Sequence, residues 1–171
     1  MTKLKTSAQI ISDLFSQNQK SVTKAINSIR KSANIEYMPE LFKLLKTTNE
    51  DAIKNMVFNL ICDVKTDSAV NFYIDALENN SDNEIKKMLV SACWQSGIDF
   101  YDYLNVFIDI VLNDSLDIAI EAFTVIENNK NCFDTFEIEE SIEKISEYFD
   151  ELSENKKPLI SELLNFLNNS L

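Results

Sequence analysis

Carboxylates are the residues best placed to do chemistry in this chain. The run from Phe136 to Glu154, FEIEESIEKISEYFDELSE, carries Glu139, Glu140, Glu143, Glu147, Asp150, Glu151 and Glu154. Two acids in different environments can divide general acid–base work, one kept protonated and the other ionised. On a helix, however, Glu139, Glu143, Glu147 and Glu151 fall four apart on one face, where like charges repel mildly. Nothing in the pattern buries one of them, so a solvated polar face is the expected reading. The other catalytic types are missing. The chain has no histidine, which removes Ser-His-Asp and Cys-His nucleophiles, imidazole bases and His-containing metal sites. No calcium-loop spacing with its turn glycine is present. Cys62, Cys93 and Cys132 stand at no metal-ligand spacing. Cys62 and Cys93 fall in apolar helical patterns and are expected to be buried reduced thiols. Cys132 falls in an expected loop and is the thiol to test for reactivity. The chain is therefore expected to be no enzyme, with no catalytic residue, no metal and no cofactor.

The elements that must position these side chains are helices. With 171 residues the chain suits one compact domain, residues 1–171, and its 45% apolar and 26% charged content is ordinary for a globular protein. One Gly and two Pro leave too few glycines for a phosphate-cradling loop and too few breakers for anything but helices joined by short turns. The start, MTKLKTSAQIISDLFSQ, has no continuous apolar core of a leader and reads as a cytosolic start. No run approaches the ~18 consecutive apolar residues of a membrane span. The net charge of −12 is uneven: through Lys65 there are ten basic and six acidic residues, and from Thr66 onward six basic and 22 acidic. An acidic surface of that kind favours a basic partner and disfavours direct nucleic-acid binding, since Arg30 is the only arginine.

Periodicity predicts ten helices, at residues 7–18, 20–33, 36–47, 50–64, 67–79, 82–96, 99–113, 115–128, 136–152 and 155–169. Ile53, Met56, Val57, Leu60, Ile61 and Val64, for example, make one apolar stripe. Asn49 and the SDNE box at Ser81–Glu84 are expected helix starts, Pro39 and Pro158 first-turn residues, and Gly97 a left-handed stop. The pairs Asn79–Asn80, Asn128–Asn129 and Asn168–Asn169 are expected stops of the same left-handed kind.

The even-numbered helices align with one another. Val22, Ile53, Ile85, Ile118 and Leu159 share one position, Ile26, Val57, Leu89, Ala122 and Leu163 the next, and Ile29, Leu60, Ala92, Val125 and Phe166 a third. In the odd helices Leu41, Phe42, Leu44 and Leu45 match Tyr73, Ile74, Ala76 and Leu77, then Phe107, Ile108, Ile110 and Val111. A period of about 32 residues with two helices per unit is the mark of a solenoid. The segment MPELFKLLKTTNEDAIKNMVFNL, with its early Pro39, its LxxLL-like run and Ile53–Lys54, resembles a HEAT or armadillo-type repeat, and Ile85–Lys86 repeats the last pair. The likeness runs through residues 36–128 and fades towards both ends. It implies an all-α, right-handed α-α superhelix of about five antiparallel helix pairs, with the second helix of each pair lining a concave face.

On that face the residues between apolar stripes are Lys54, Asn55 and Asn59, then Lys86, Lys87 and Ser91, then Thr124, with Trp94 flanking the stripe as a packing or anchor residue. Small polar residues with a few charges suit contact with a peptide or helix of another protein. The aromatics of DFYDYLNVF, Phe100 to Phe107, are expected mostly in the core. The last helix, with Leu159, Ile160, Leu163, Leu164, Phe166 and Leu167, is more apolar than an end cap needs and suits pairing with a second copy or a partner. The expected role is a cytoplasmic, non-enzymatic protein-interaction module, an adaptor or small subunit. The alternative is an acidic decoy that mimics nucleic acid and occupies a basic protein.

Overall fold

The computed structural model describes residues 6–129 and 133–171; Cys132 lies outside the described residues. Ten α-helices and no strand occur among them: α1 (Ser7–Leu14), α2 (Gln19–Ser32), α3 (Met38–Thr47), α4 (Asp51–Cys62), α5 (Val70–Glu78), α6 (Asn83–Ser96), α7 (Leu104–Asn113), α8 (Leu116–Asn128), α9 (Thr135–Tyr148) and α10 (Lys157–Asn168). They group into two compact units, Met1–Asn80 and Ser81–Leu171.

In the first unit α1 pairs with α2 and α3 with α4, while α2 stacks on α4 and α3 on α5. In the second, α7 pairs with α8 and α9 with α10, while α6 and α10 both stack on α8 and α9 stacks on α7. Within each unit, first helices therefore face first helices and second helices face second helices. That two-layer arrangement buries a stripe no single pair could cover. The aligned positions are the buried ones: Val22, Ile53, Ile85 and Ile118, then Ile26, Val57, Leu89 and Ala122, then Ile29, Leu60, Ala92 and Val125. A Val, Leu or Ile buried this fully contributes about 1.5–3 kcal/mol. In α10 the register departs from the expectation. Ile160, Leu163 and Leu167 are buried, whereas Leu159, Leu164 and Phe166 are half-buried. The stripe moves because Phe166 turns to meet Phe123 of α8 edge-to-face at 5.8 Å.

Helix ends explain the other departures. A 3-10 turn precedes α3, α5 and α7, at Ile35–Tyr37, Asp67–Ala69 and Tyr101–Tyr103, in place of the first turn expected of each helix. Before α7 the backbone is held by Asn129, whose Oδ1 accepts the Phe100 N–H at 2.7 Å. Phe100 then packs edge-to-face on Phe107 at 5.6 Å, leaving Tyr101 exposed. Helix α1 stops at Leu14 because Asn18 already caps α2, accepting the Lys20 N–H at 3.0 Å. Asp82, not Ser81, caps α6, accepting the Ile85 N–H at 3.0 Å. Glu50, not Asn49, sits at the start of α4, its N–H held by Thr48 Oγ1 at 3.2 Å.

Gly97 does adopt the left-handed stop, with φ +67°. Asn79 and Asn129 stop their helices differently: both keep negative φ, and each side-chain Nδ2 donates to the carbonyl four residues back, Asp75 and Val125, at 2.9 Å. The left-handed conformation falls instead to Ala33, φ +49°. Pro39 and Pro158 lie in first turns, where a missing N–H costs least.

Candidate protein-binding site

The expected face divides between the two units. In the first, α4 presents Asn55 and Asn59 to solvent, with Lys54 half-buried beside them. In the second, α6 presents Lys86, Lys87, Ser91 and Trp94, and α8 presents Thr124. The steps from Lys87 to Ser91 to Trp94, and on α8 from Asp117 to Glu121 to Thr124, are four and three residues, so each set follows one helix face.

The two helices run side by side in the same direction, joined by rungs about one repeat apart in sequence. Lys87 Nζ meets Asp117 Oδ2 at 3.0 Å and the Trp94 indole N–H donates to Glu121 Oε2 at 2.7 Å, while Lys86 Nζ meets Asp114 Oδ2, at the end of α7 just ahead of α8, at 2.6 Å. Lys86 and Asp114 are 19% and 14% exposed, so this pair is packing between repeats rather than open surface. Lys87 and Asp117 are far more exposed, and such a pair contributes little to stability. Asp117 also accepts from Ser115 Oγ at 2.6 Å. That bond, with Lys87 behind it, holds its carboxyl down at about 2.

Ser91 accepts from Gln95 Nε2 at 2.9 Å, and Thr124 donates to the Ile120 carbonyl at 3.0 Å, so both spend their hydroxyl bonds within their own helices. On α8, Ile120 is 48% exposed, a large apolar side chain flanked in sequence by Asp117 and Thr124. Asp117, Ile120 and Glu121 were not among the expected site residues. An acid about one repeat downstream of Lys86, Lys87 and Trp94 was the available signal.

Two of the cavities within the units have about 390 Å3 each. One, in the first unit, has an apolar floor of Ile29, Met38, Leu41 and Leu60 and is edged by the Arg30–Asp63 ion pair at 2.8 Å. The other, in the second unit, is lined by Asp114, Glu151 and Lys156 among others. Lys156 is 6% exposed and its Nζ donates to the carbonyls of Val111 and Leu112 at 2.8 and 2.9 Å, capping the end of α7. Burial pushes its ammonium below the ordinary lysine value, with Asp114 opposing. Two acids, Asp114 and Glu151, line this cavity, yet Asp114 is already occupied by Lys86.

Cys93 is buried and Cys62 half-buried, both free thiols; burial, with Asp63 adding, pushes the Cys62 thiol up to about 11. Among the described residues no group of three or more acids and cysteines is placed to hold a metal ion, and no helix is long and apolar enough to cross a membrane.

No known protein family matches the chain, and neither does any curated protein. Among solved structures, the crystal structure of an engineered protein, a structural-genomics target, resembles it with a TM-score of 0.48 and 14% identity, over 94% of this chain and 78% of that one. A likeness of that degree leaves the assignment to the helix packing itself. On that packing the chain is an all-α protein of sequentially paired helices.

Proposed function

We propose that the chain is a HEAT-like, non-enzymatic interaction module, an adaptor or small subunit that holds another protein on the outer faces of its second helices. One observation carries this reading. The α6–α8 face sets a half-exposed Trp94 and an exposed Ile120 among short or paired polar side chains. Trp is among the residues enriched at interface hot spots, and an exposed aliphatic near polar groups makes a shallow anchor point. Asn55, Asn59 and Lys54 would offer a comparable surface on α4. The excess of carboxylates selects for a basic segment, and the free thiols fit a reducing, cytoplasmic setting.

The test is affinity capture from native lysate with three versions of the chain: wild type, Ser91→Arg with Thr124→Arg, and Glu147→Arg on α9. A partner held by the wild type and the α9 variant but lost from the double variant supports the reading. A partner indifferent to the α6–α8 changes overturns it.

A further inference from the structure

The carboxylate of Glu121 sits half-buried between α6 and α8. Among the described residues its hydrogen-bond partner is the Trp94 indole and no cation stands against it. The neighbouring acids differ: Asp114 has Lys86 at 2.6 Å and Asp117 has Lys87 at 3.0 Å. An indole offers one donor and no charge, so Oε1 and the net negative charge of Glu121 stay open to a further group. The half-exposed indole ring is itself a surface for a cation.

One chemical group satisfies both. A guanidinium is planar and stacks on an indole, and its fork of N–H donors reaches a carboxylate held at the ring edge. The methylene stem of an arginine can then lie along exposed Ile120. A lysine ammonium matches the charge but neither the planarity nor the fork. The surroundings favour a cation: the second unit holds 19 acidic and six basic residues, a net of −13. We propose that Trp94 and Glu121 form a receptor for an arginine side chain of a partner segment. This rests on the protein-binding reading and names the chemistry of what α6 and α8 hold.

The single tryptophan makes the test local, because the indole N–H resonance reports this one place. The probes are a short capped alanine-based peptide carrying arginines, its lysine counterpart and its citrulline counterpart, which keeps the shape without the charge. The arginine peptide is expected to shift the indole resonance saturably, the lysine peptide to bind several-fold more weakly, and the citrulline peptide to leave it unmoved. Glu121→Gln keeps an acceptor for the indole and removes the charge, and is expected to weaken the arginine peptide by about tenfold. Glu147→Gln, which removes an equal charge from α9, is expected to change binding by less than about twofold. Equal weakening by both variants, an equal response to citrulline, or binding that leaves the indole resonance in place would overturn the receptor. If the receptor fails while a captured partner still depends on Ser91 and Thr124, the protein-binding reading stands without it; if that dependence fails too, both fall.

Discussion

Lys156 offers the sharpest test of how the second unit holds together. Its replacement by methionine keeps the stem and removes the ammonium. The carbonyls of Val111 and Leu112 belong to the last turn of α7 and have no helical donor ahead of them, so Lys156 Nζ at 2.8 and 2.9 Å supplies what the helix end lacks. Hydrogen bonds to a charged group contribute about 1.5–3 kcal/mol each, and their loss leaves two buried acceptors with nothing in place of water. Against this, burying an ammonium at 6% exposure carries a desolvation cost that methionine abolishes. The balance predicts that Lys156→Met destabilises the chain by about 2–4 kcal/mol, read as the midpoint shift in urea unfolding.

The pH dependence gives a second handle on the same group. Burial holds the folded pKa of Lys156 below its ordinary 10.5, so between those two values the unfolded chain binds more protons than the folded one. Wild-type stability relative to the methionine variant should therefore rise as pH climbs through the folded pKa towards 10.5. A methionine variant as stable as the wild type at neutral pH, or more so, would refute the capping role. It would mean that ammonium burial outweighs both bonds.

Four further residues carry outcomes of their own. Ser141 is fully buried on α9 with no partner for its hydroxyl among the described residues, so Ser141→Ala should stabilise the chain by about 1 kcal/mol; a thermal melt showing a loss would expose a bond to that oxygen. A Cβ added at Gly97 meets nothing within 4 Å, so Gly97→Ala should cost only the left-handed backbone, about 1 kcal/mol, whereas Ala33→Gly, at φ +49°, should gain a similar amount, both measured by urea unfolding. With its thiol pushed from 9.0 to about 11, Cys62 should react slowly with iodoacetamide at pH 8; folding stability should fall as pH rises from 9 through 11, and Cys62→Ala should remove that part of the loss.

Much of the fold was legible because helical burial repeats. Ile53, Val57 and Leu60 recur as Ile85, Leu89 and Ala92, and an apolar stripe at that spacing has one physical solution. Pro39 and Gly97 marked their ends correctly because each acts through its own backbone. What stayed hidden depends on partners far away in sequence. Lys156 falls at the start of the helix expected over residues 155–169, in SENKKPL, where nothing marks a lysine for burial; only the end of α7 makes it a core residue. Trp94 was legible only as a residue flanking the stripe; its partner, Glu121, lies 27 residues on and is brought to it by the packing of α6 on α8. Phe166 left the shared register because an aromatic neighbour, Phe123, was there to meet it.

The seams that join successive second helices are not made of the same material. Between α6 and α8 the Lys87–Asp117 rung sets full charges 3.0 Å apart, whereas α8, which carries no lysine or arginine, meets α10 through the edge-to-face contact of Phe123 and Phe166. Dissolved ions act on the two unequally. Sodium chloride reaches the first seam only through its outer rung at Lys87, which contributes little, and has no charge pair to shield at the aromatic contact of the second. Sulfate, excluded from apolar surface, tightens the buried stripes on both sides of α8.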